Sequence, residues 1–384
     1  MEKERQVCFF TGKRGGFTHF IPIIERIKET PGLSCSMVSC DMHLSDTFGK
    51  TVHEVENYVE KSYRLYTMLS ADSKVARAKS ISLVTMSASE LLDRIRPDLV
   101  FVLGDRGEVL GMVIAAMELN IPLVHLFGGD LSQGGVDEPV RHAITKMANI
   151  HFTSNQQSAD RIIKMGEEPW RVHNVGSPVL DLIRQGRFTP KDEVCRKFSL
   201  NPEEPVIILL QHSVTWQVEQ AERQIRATLE ALDRLGHQTV AIYPCSDPGY
   251  ESIITALSEF SSQPFVRLHK NLEFADFWGL MNLAAALVGN SSAGVMETPS
   301  FRIPAVNLGI RQEGRMRAEN VLDVDHDPEQ IIRAIETALH DRNFRERVKH
   351  CSSPYGDGHA AARIVPVLNE VELDETLTRK RMTY

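Results

Sequence analysis

The chain has little that would place it outside ordinary α/β enzymes. Its 384 residues include only six cysteines, Cys8, Cys35, Cys40, Cys195, Cys245 and Cys351. None forms a Cys-x-x-Cys pair, and no Cys/His cluster has zinc-ligand spacing, so a disulfide scaffold and a structural metal site are not expected. No apolar run reaches about 18 residues, so no membrane span is expected. Basic residues number 43 against 51 acidic, a net charge of −8. Phosphate-backbone recognition needs the opposite sign, which argues against nucleic acid as a partner. The N-terminus is charged and lacks the pattern of a secretory signal, which points to a cytoplasmic protein with free thiols. No repeat of about 20–50 residues and no low-complexity tract interrupts the chain.

Short apolar runs alternate with amphipathic stretches. Val7–Phe10, Ser36–Val38, Leu99–Leu103 and Leu123–Phe127 form one series. Val206–Leu210, Thr239–Tyr243, Ala286–Val288 and Ala305–Leu308 form a second. Runs of aliphatic and β-branched residues closed by glycine read as buried parallel strands. Val218, Ala221, Ile225, Leu229 and Leu232 trace one helix face. Asp327-Pro328 reads as an N-cap followed by proline at the first helical position. The polar segment around Gly186, Pro190, Pro202 and Pro205 suggests a boundary. The expected organisation is a domain over 1–185, a linker over 186–204, a second domain over 205–365 and a solvated extension over 366–384. Two doubly wound α/β domains facing across a cleft follow from this pattern, because open α/β sheets bind ligands beyond the carboxyl ends of their strands.

Chemistry-bearing residues gather at those ends. Gly289-Asn290-Ser291-Ser292-Ala293-Gly294 follows a strand and opens a helix, a candidate phosphate cradle of small residues. Glu297, just over one turn on, could accept from two ribose hydroxyls; the bland alternative is a tight turn with a dipole-favoured Glu. Thr11–Gly16 forms a glycine-rich loop with Arg14, but is neither Gly-x-Gly-x-x-Gly nor a P-loop. Asp105 ends an apolar strand, as base or as helix cap. Asp137 and Arg141 share a helix face, as a tuned base or as a surface ion pair. Gln211-His212 and Asn307 to Arg311 end strands of the second series. His212 is expected to meet Asp105 across the cleft, whereas His125, inside a strand, reads as structural.

In this order the motifs resemble the hydrolysing UDP-N-acetylglucosamine 2-epimerases, in the bacterial branch that serves sialic- and legionaminic-type sugars. The motifs are Gly104-Asp105-Arg106, His125-x-x-Gly128-Gly129, Asp137-Glu138-x-x-Arg141-His142, Gly289-Asn290-Ser291-Ser292-x-Gly294-x-x-Glu297 and Tyr355-Gly356-Asp357-Gly358. Met42-His43-Leu44-Ser45 and Tyr243-Pro244-x-Ser246-Asp247 fit the bacterial branch. The resemblance implies a glycosyltransferase-B-like fold, a UDP-sugar substrate, no metal or other cofactor, and a homodimer or homotetramer. It implies that Ser291, Ser292 and Gly294 hold the diphosphate, that Glu297 holds the ribose, and that Arg14, Thr18, His43 and Arg311 assist. Asp105, Asp137 and His212 match catalytic positions, with Arg141 as their partner. The implied reaction turns UDP-N-acetylglucosamine and water into N-acetylmannosamine and UDP through a glycal.

Two departures stand out. Animal relatives carry a catalytic Glu, and some bacterial ones a His, where this chain has Phe127. A phenyl ring transfers no proton, so the role is absent or filled elsewhere, with Asp130 one candidate. Gly15-Gly16-Phe17 replaces the more familiar Ala-acid-Tyr. Both changes leave open a UDP-2,4-diacetamido-2,4,6-trideoxyglucose substrate, and more remotely a UDP-sugar glycosyltransferase, a non-hydrolysing epimerase or a binding-only protein.

Overall fold

The structure, a computed structural model, describes residues 4–384. It contains two all-parallel sheets. The first uses β1 (Arg5–Thr11), β2 (Leu33–Cys40), β3 (Lys61–Leu65), β4 (Leu99–Leu103), β5 (Leu123–Leu126), β6 (Ile150–Thr153) and β7 (Val172–Asn174) in the order β3-β2-β1-β4-β5-β6-β7. The second uses β8 (Val206–Leu210), β9 (Gln238–Ile242), β10 (Val266–His269), β11 (Ala286–Gly289), β12 (Ala305–Leu308) and β13 (Val321–Val324) in the order β10-β9-β8-β11-β12-β13. Each is doubly wound, and strand order reverses at β1/β4 and at β8/β11. At such switch points the connecting loops diverge to opposite faces and leave a crevice for a ligand.

Strand alternation explains the core. On one face of the first sheet Phe9 stacks on Phe101 with ring centroids 5.0 Å apart, and Phe20 of helix Arg14–Lys28 closes on both. On the other, Cys8, Phe10, Val100 and Val102 pack with Val84, Ala88, Met112 and Ala116. The central strands are buried on both faces, and so read as unbroken apolar runs. The five strands that the sequence reading did not name are peripheral or polar. Lys61–Leu65 alternates exposed and half-buried positions, and Val172–Asn174 has three residues.

The chain divides into two compact units. One comprises Met1–Leu131, Val136–Arg184 and Tyr355–Tyr384; the other comprises Gln185–Pro354 with the short segment Ser132–Gly135. Two expectations are corrected. The expected 186–204 linker contains the helix Lys191–Phe198, whose Val194 and Phe198 are buried. That segment is also fastened by Thr189 Oγ1 donating to Asp276 at 2.8 Å and Lys197 Nζ at 2.5 Å. Nor is 366–384 a wholly solvated extension: it belongs to the first unit and, though largely exposed, is anchored there. Asp181 accepts from the backbone N–H groups of Ala360 and Ala361 at 2.8 and 2.9 Å, seating helix Ala360–Glu370 on the first unit.

The tail then crosses a buried polar patch. Arg171, fully buried, donates to the carbonyls of Thr376 and Leu377 at 2.6 and 2.8 Å. Lys380 Nζ donates to the carbonyls of Lys146 and Ala148 and pairs with Glu167 at 2.7 Å. Glu167 also receives Lys146 and His151. Burial pushes its carboxyl up, but these donors outweigh it and hold it at about 2. Within a run of charges that is otherwise exposed, Lys380 turns inward as the complement of a buried carboxylate far away in sequence.

Removing residues 374–384 would leave Arg171 and Glu167 short of partners. We expect a loss on the order of 3 kcal/mol in the stability of the first unit, read as a lowered thermal midpoint, whereas an unchanged midpoint would show the tail to be passive.

Candidate functional site

In the first unit the switch point brings together the Gly12 loop after β1 and Gly104-Asp105 after β4. Gly104 has φ +79°, a left-handed turn that releases Asp105 from the strand. His125 on β5 donates from Nε2 to the Gly104 carbonyl at 2.7 Å, so the other nitrogen is the bare one; Thr145 Oγ1 lies 3.3 Å from it. Burial pushes this ring down to about 3. His125 therefore braces the turn as a neutral group, as the sequence suggests.

Asp105 forms an ion pair with Arg141, which is fully buried. Arg141 Nη1 also donates to Glu138 at 2.9 Å and to the Asp130 main-chain carbonyl at 3.0 Å. Burial opposes the charge on Arg141, yet Asp105, Asp130 and Asp137 together raise its pKa. Asp137 begins helix Asp137–Met147 one turn before Arg141. One guanidinium is thus faced by four carboxylates. Asp130 is buried: its Oδ1 accepts from Ser154 and Ser158 hydroxyls at 2.6 and 2.7 Å, and its Oδ2 has no partner.

The other expected groups of this unit are engaged within it. Arg14 Nη2 pairs with Glu54 at 2.8 Å, and Thr18 Oγ1 donates to the Arg14 carbonyl at 3.2 Å. His43 is fully buried, with Nδ1 2.7 Å from Thr51 Oγ1 and Nε2 3.0 Å from Thr11 Oγ1. Both nitrogens are occupied and burial pushes the ring down to about 3, so His43 braces the loop and presents no free ring atom to a ligand. Glu108, which the sequence reading did not single out, lies under Gly12 and pairs with Arg106 and Arg77. Burial pushes Glu108 up, but the two guanidiniums hold it well below the usual carboxylate range.

Phe127 is buried, with φ +69°. A left-handed backbone costs a bulky residue about 1–2 kcal/mol. Its N–H donates to the Phe152 carbonyl at 2.9 Å, and its ring meets His19 edge-on at 4.8 Å and 89°.

In the second unit β8 and β11 end side by side. Gly289, at φ +139°, passes so close to the Leu210 carbonyl that a Cβ would collide with it. That approach lets His212 and Asn290 pair reciprocally: His212 N donates to Asn290 Oδ1 at 2.7 Å, and Asn290 Nδ2 to the His212 carbonyl at 2.9 Å. The backbone N–H of Cys245 donates to His212 Nδ1 at 3.0 Å. A backbone N–H can only donate, so the neutral imidazole carries its hydrogen on Nε2.

Arg311 and Gln312 both donate to the Asn290 carbonyl, at 3.1 and 2.8 Å, and Arg311 Nη2 lies 3.7 Å from Asp247. Ser291, Ser292 and Gly294 follow in the loop. The helix they open is only Ala293–Met296, too short to carry much of a helix dipole. Glu297 ends that turn. Its Oε2 accepts from Trp278 Nε1 at 2.6 Å, and burial pushes its carboxyl up to about 7 against that donor.

The chain as a whole matches known proteins. The family described as UDP-N-acetylglucosamine 2-epimerase matches residues 25–369. The chain belongs to that family. A UDP-N,N'-diacetylbacillosamine 2-epimerase (hydrolyzing) of Legionella pneumophila is 32% identical over 384 residues, 99% of this chain and all of that one. A UDP-N-acetylglucosamine 2-epimerase of Neisseria meningitidis is 32% identical over 338 residues, 87% of each chain. In fold, the chain is similar to a crystal structure of UDP-GlcNAc 2-epimerase from Neisseria meningitidis bound to UDP-GlcNAc, with TM-score 0.79, 20% identity, and 94% of this chain and 99% of that chain covered. Two Rossmann-like units of the glycosyltransferase-B-like class are thus shared across the UDP-N-acetylglucosamine 2-epimerases.

Arg141→Met would strand the surrounding carboxylates. A loss of about 3–5 kcal/mol is expected at neutral pH, shrinking at lower pH as those carboxylates take up protons; denaturation of the variant at two pH values reads both.

The Glu297 carboxyl should titrate near 7 by carbon NMR. Between its ordinary value and 7 the folded state holds a proton that the unfolded state has lost, so this group lowers stability as pH rises through that window. Trp278→Phe removes a donor to the carboxylate and should move the midpoint higher; a lower midpoint would refute this account.

Proposed function

We propose that the protein is a hydrolysing UDP-sugar 2-epimerase that converts UDP-N-acetylglucosamine and water into N-acetylmannosamine and UDP. The carrying observation is Asp105, released from its strand at the switch point and held by a buried guanidinium. In this reading Asp105 or Asp137 takes the C2 proton of the sugar. The C1–C2 double bond forms as the C1–O bond breaks, and UDP leaves with the electron pair. Water then adds at C1 while a proton returns to the opposite face of C2, which calls for two differently poised acid/base groups. His212, with its hydrogen fixed on Nε2, is suited to donate toward the departing diphosphate. Ser291, Ser292, Gly294 and Arg311 hold that diphosphate, assisted by Arg14 and Thr18, and Glu297 holds the ribose. Glu297 accepts ribose hydroxyls best when ionised, so UDP affinity strengthens as pH rises through 7.

A second reading is favoured by Phe127. The same reaction on UDP-2,4-diacetamido-2,4,6-trideoxyglucose would present a 6-methyl group, which an apolar ring accommodates without leaving a hydroxyl unpaired. The relative from Legionella pneumophila carries a name of that substrate class.

Proton NMR in D₂O tests the reaction: free UDP and a 2-epimerised sugar carrying deuterium at C2 are expected. Asp105→Asn should lower turnover by about 10²–10⁴-fold while the protein stays folded. Near-normal turnover would remove Asp105 from the mechanism.

A further inference from the structure

One helical layer of the first unit lacks the charge that a water-facing layer normally carries. Helices Lys74–Ile95 and Gly107–Glu118 pack on the sheet face that holds Cys8, Phe10, Val100 and Val102. They touch closely: a Cβ on Gly111 would collide with the Ile81 carbonyl, and one on Gly107 with the Ile81 side chain. Val84, Ala88, Val109 and Met112 are buried beneath them. Outward faces of such helices are usually polar. Here Ser80–Ser89 contains no charged residue. In Gly107–Glu118 the charges are Glu108, buried and paired, and Glu118 at the end. Val75 and Met86 stand 65% and 59% exposed on the first helix. Met117 is exposed on the second, behind half-buried Leu110 and Ile114. Contiguous exposed apolar surface of this kind marks a contact face.

The hydroxyls of Ser82, Thr85 and Ser89 do not need water. They donate to the carbonyls of Ala78, Ile81 and Thr85 at 3.3, 3.2 and 2.8 Å. A partner can therefore cover them without stranding a donor.

The identity of the partner is written in the order of the exposed residues. Val75, Lys79, Ser82, Met86, Glu90 and Asp93 are exposed at intervals of 4, 3, 4, 4 and 3, which is one stripe of the helix. The middle of that stripe is complementary to itself read backwards. A two-fold axis between Ser82 and Met86 sets Met86 of one copy against Ser82 of the other, and Lys79 against Glu90. Large then meets small and positive meets negative, each twice, as an isologous contact requires. Among the described residues neither Lys79 nor Glu90 has an ion-pair partner within the chain. An unrelated partner would give no reason for opposite charges to sit at equal distances from one point of the helix.

We infer that helix Lys74–Ile95 pairs antiparallel with the same helix of a second copy of this chain, about an axis between Ser82 and Met86, with the apolar face of Gly107–Glu118 covered beside it. This contact is independent of the reaction assigned to the site.

Sedimentation velocity on the full-length protein at micromolar concentration tests the pairing and needs no substrate. The unmodified protein should sediment as a dimer or an even multiple of one. Met86→Lys, which puts two like charges near the axis, should halve that mass or raise the dissociation constant about tenfold or more. Lys79→Glu should weaken association, because it faces Glu90, and adding Glu90→Lys should restore it. All three positions are exposed, and circular dichroism checks that each variant keeps its helices. An assembly unmoved by Met86→Lys, or a double exchange that fails to recover what Lys79→Glu lost, would overturn the pairing. A monomeric unmodified protein would overturn it too, and would leave the face to a different partner.

Discussion

A single buried guanidinium organises the first unit. Arg141 carries charge into a place without water, which is tolerable only because carboxylates converge on it. It receives Asp105 from the end of β4 and Glu138 from its own helix, while the main chain of Asp130 fixes the loop after β5. Three separate segments are thereby located by one planar fork, and the geometry of the fork limits how any of them can shift. The carboxylates around it outnumber its single positive charge, so the cluster is held together by one group and loosened by the loss of that group.

The second unit reaches a comparable rigidity without a net charge. His212 and Asn290 each satisfy the other across adjoining strand ends, and Gly289 makes room for them. The imidazole enters with one tautomer because a main-chain N–H claims its other nitrogen. The Asn290 carbonyl in turn orients Arg311 and Gln312, so a guanidinium, an amide and the His212 main chain are set by one asparagine.

The readable part of the sequence was the part dominated by one local rule. Central strands such as Leu99–Leu103 are buried on both faces and announce themselves as apolar runs. Peripheral strands such as Lys61–Leu65 obey neighbours that are distant in the chain. The helix cap at Asp327 was legible because its chemistry is local, and the structure shows Asp327 accepting from the Gln330 N–H at 2.9 Å. Placement of Asp105 and His212 at strand ends was legible for the same reason. The tail is solvated over most of its length, but its anchoring was not legible because Lys380 answers Glu167, more than two hundred residues earlier. At His43 the motif gives the neighbourhood but not that both ring nitrogens face threonine hydroxyls. The partnership of Arg141 was half visible: helix spacing pointed to Asp137, whose charge does act on it, whereas the ion pairs are with Glu138 on the same helix and Asp105 on another element.

The discontinuity of the first unit bears on how the protein is made. Its sheet is encoded before residue 185, but Tyr355–Tyr384, which carry the helix seated by Asp181 and the strap over Arg171, are encoded after the second unit. During synthesis from the N-terminus the first half therefore emerges early and stays unfinished, while the span Gln185–Pro354 is translated in one piece behind it. Completion of the earlier-born unit waits for Tyr355–Tyr384 to emerge, so its closure comes only after the whole of the second unit's main span has been made.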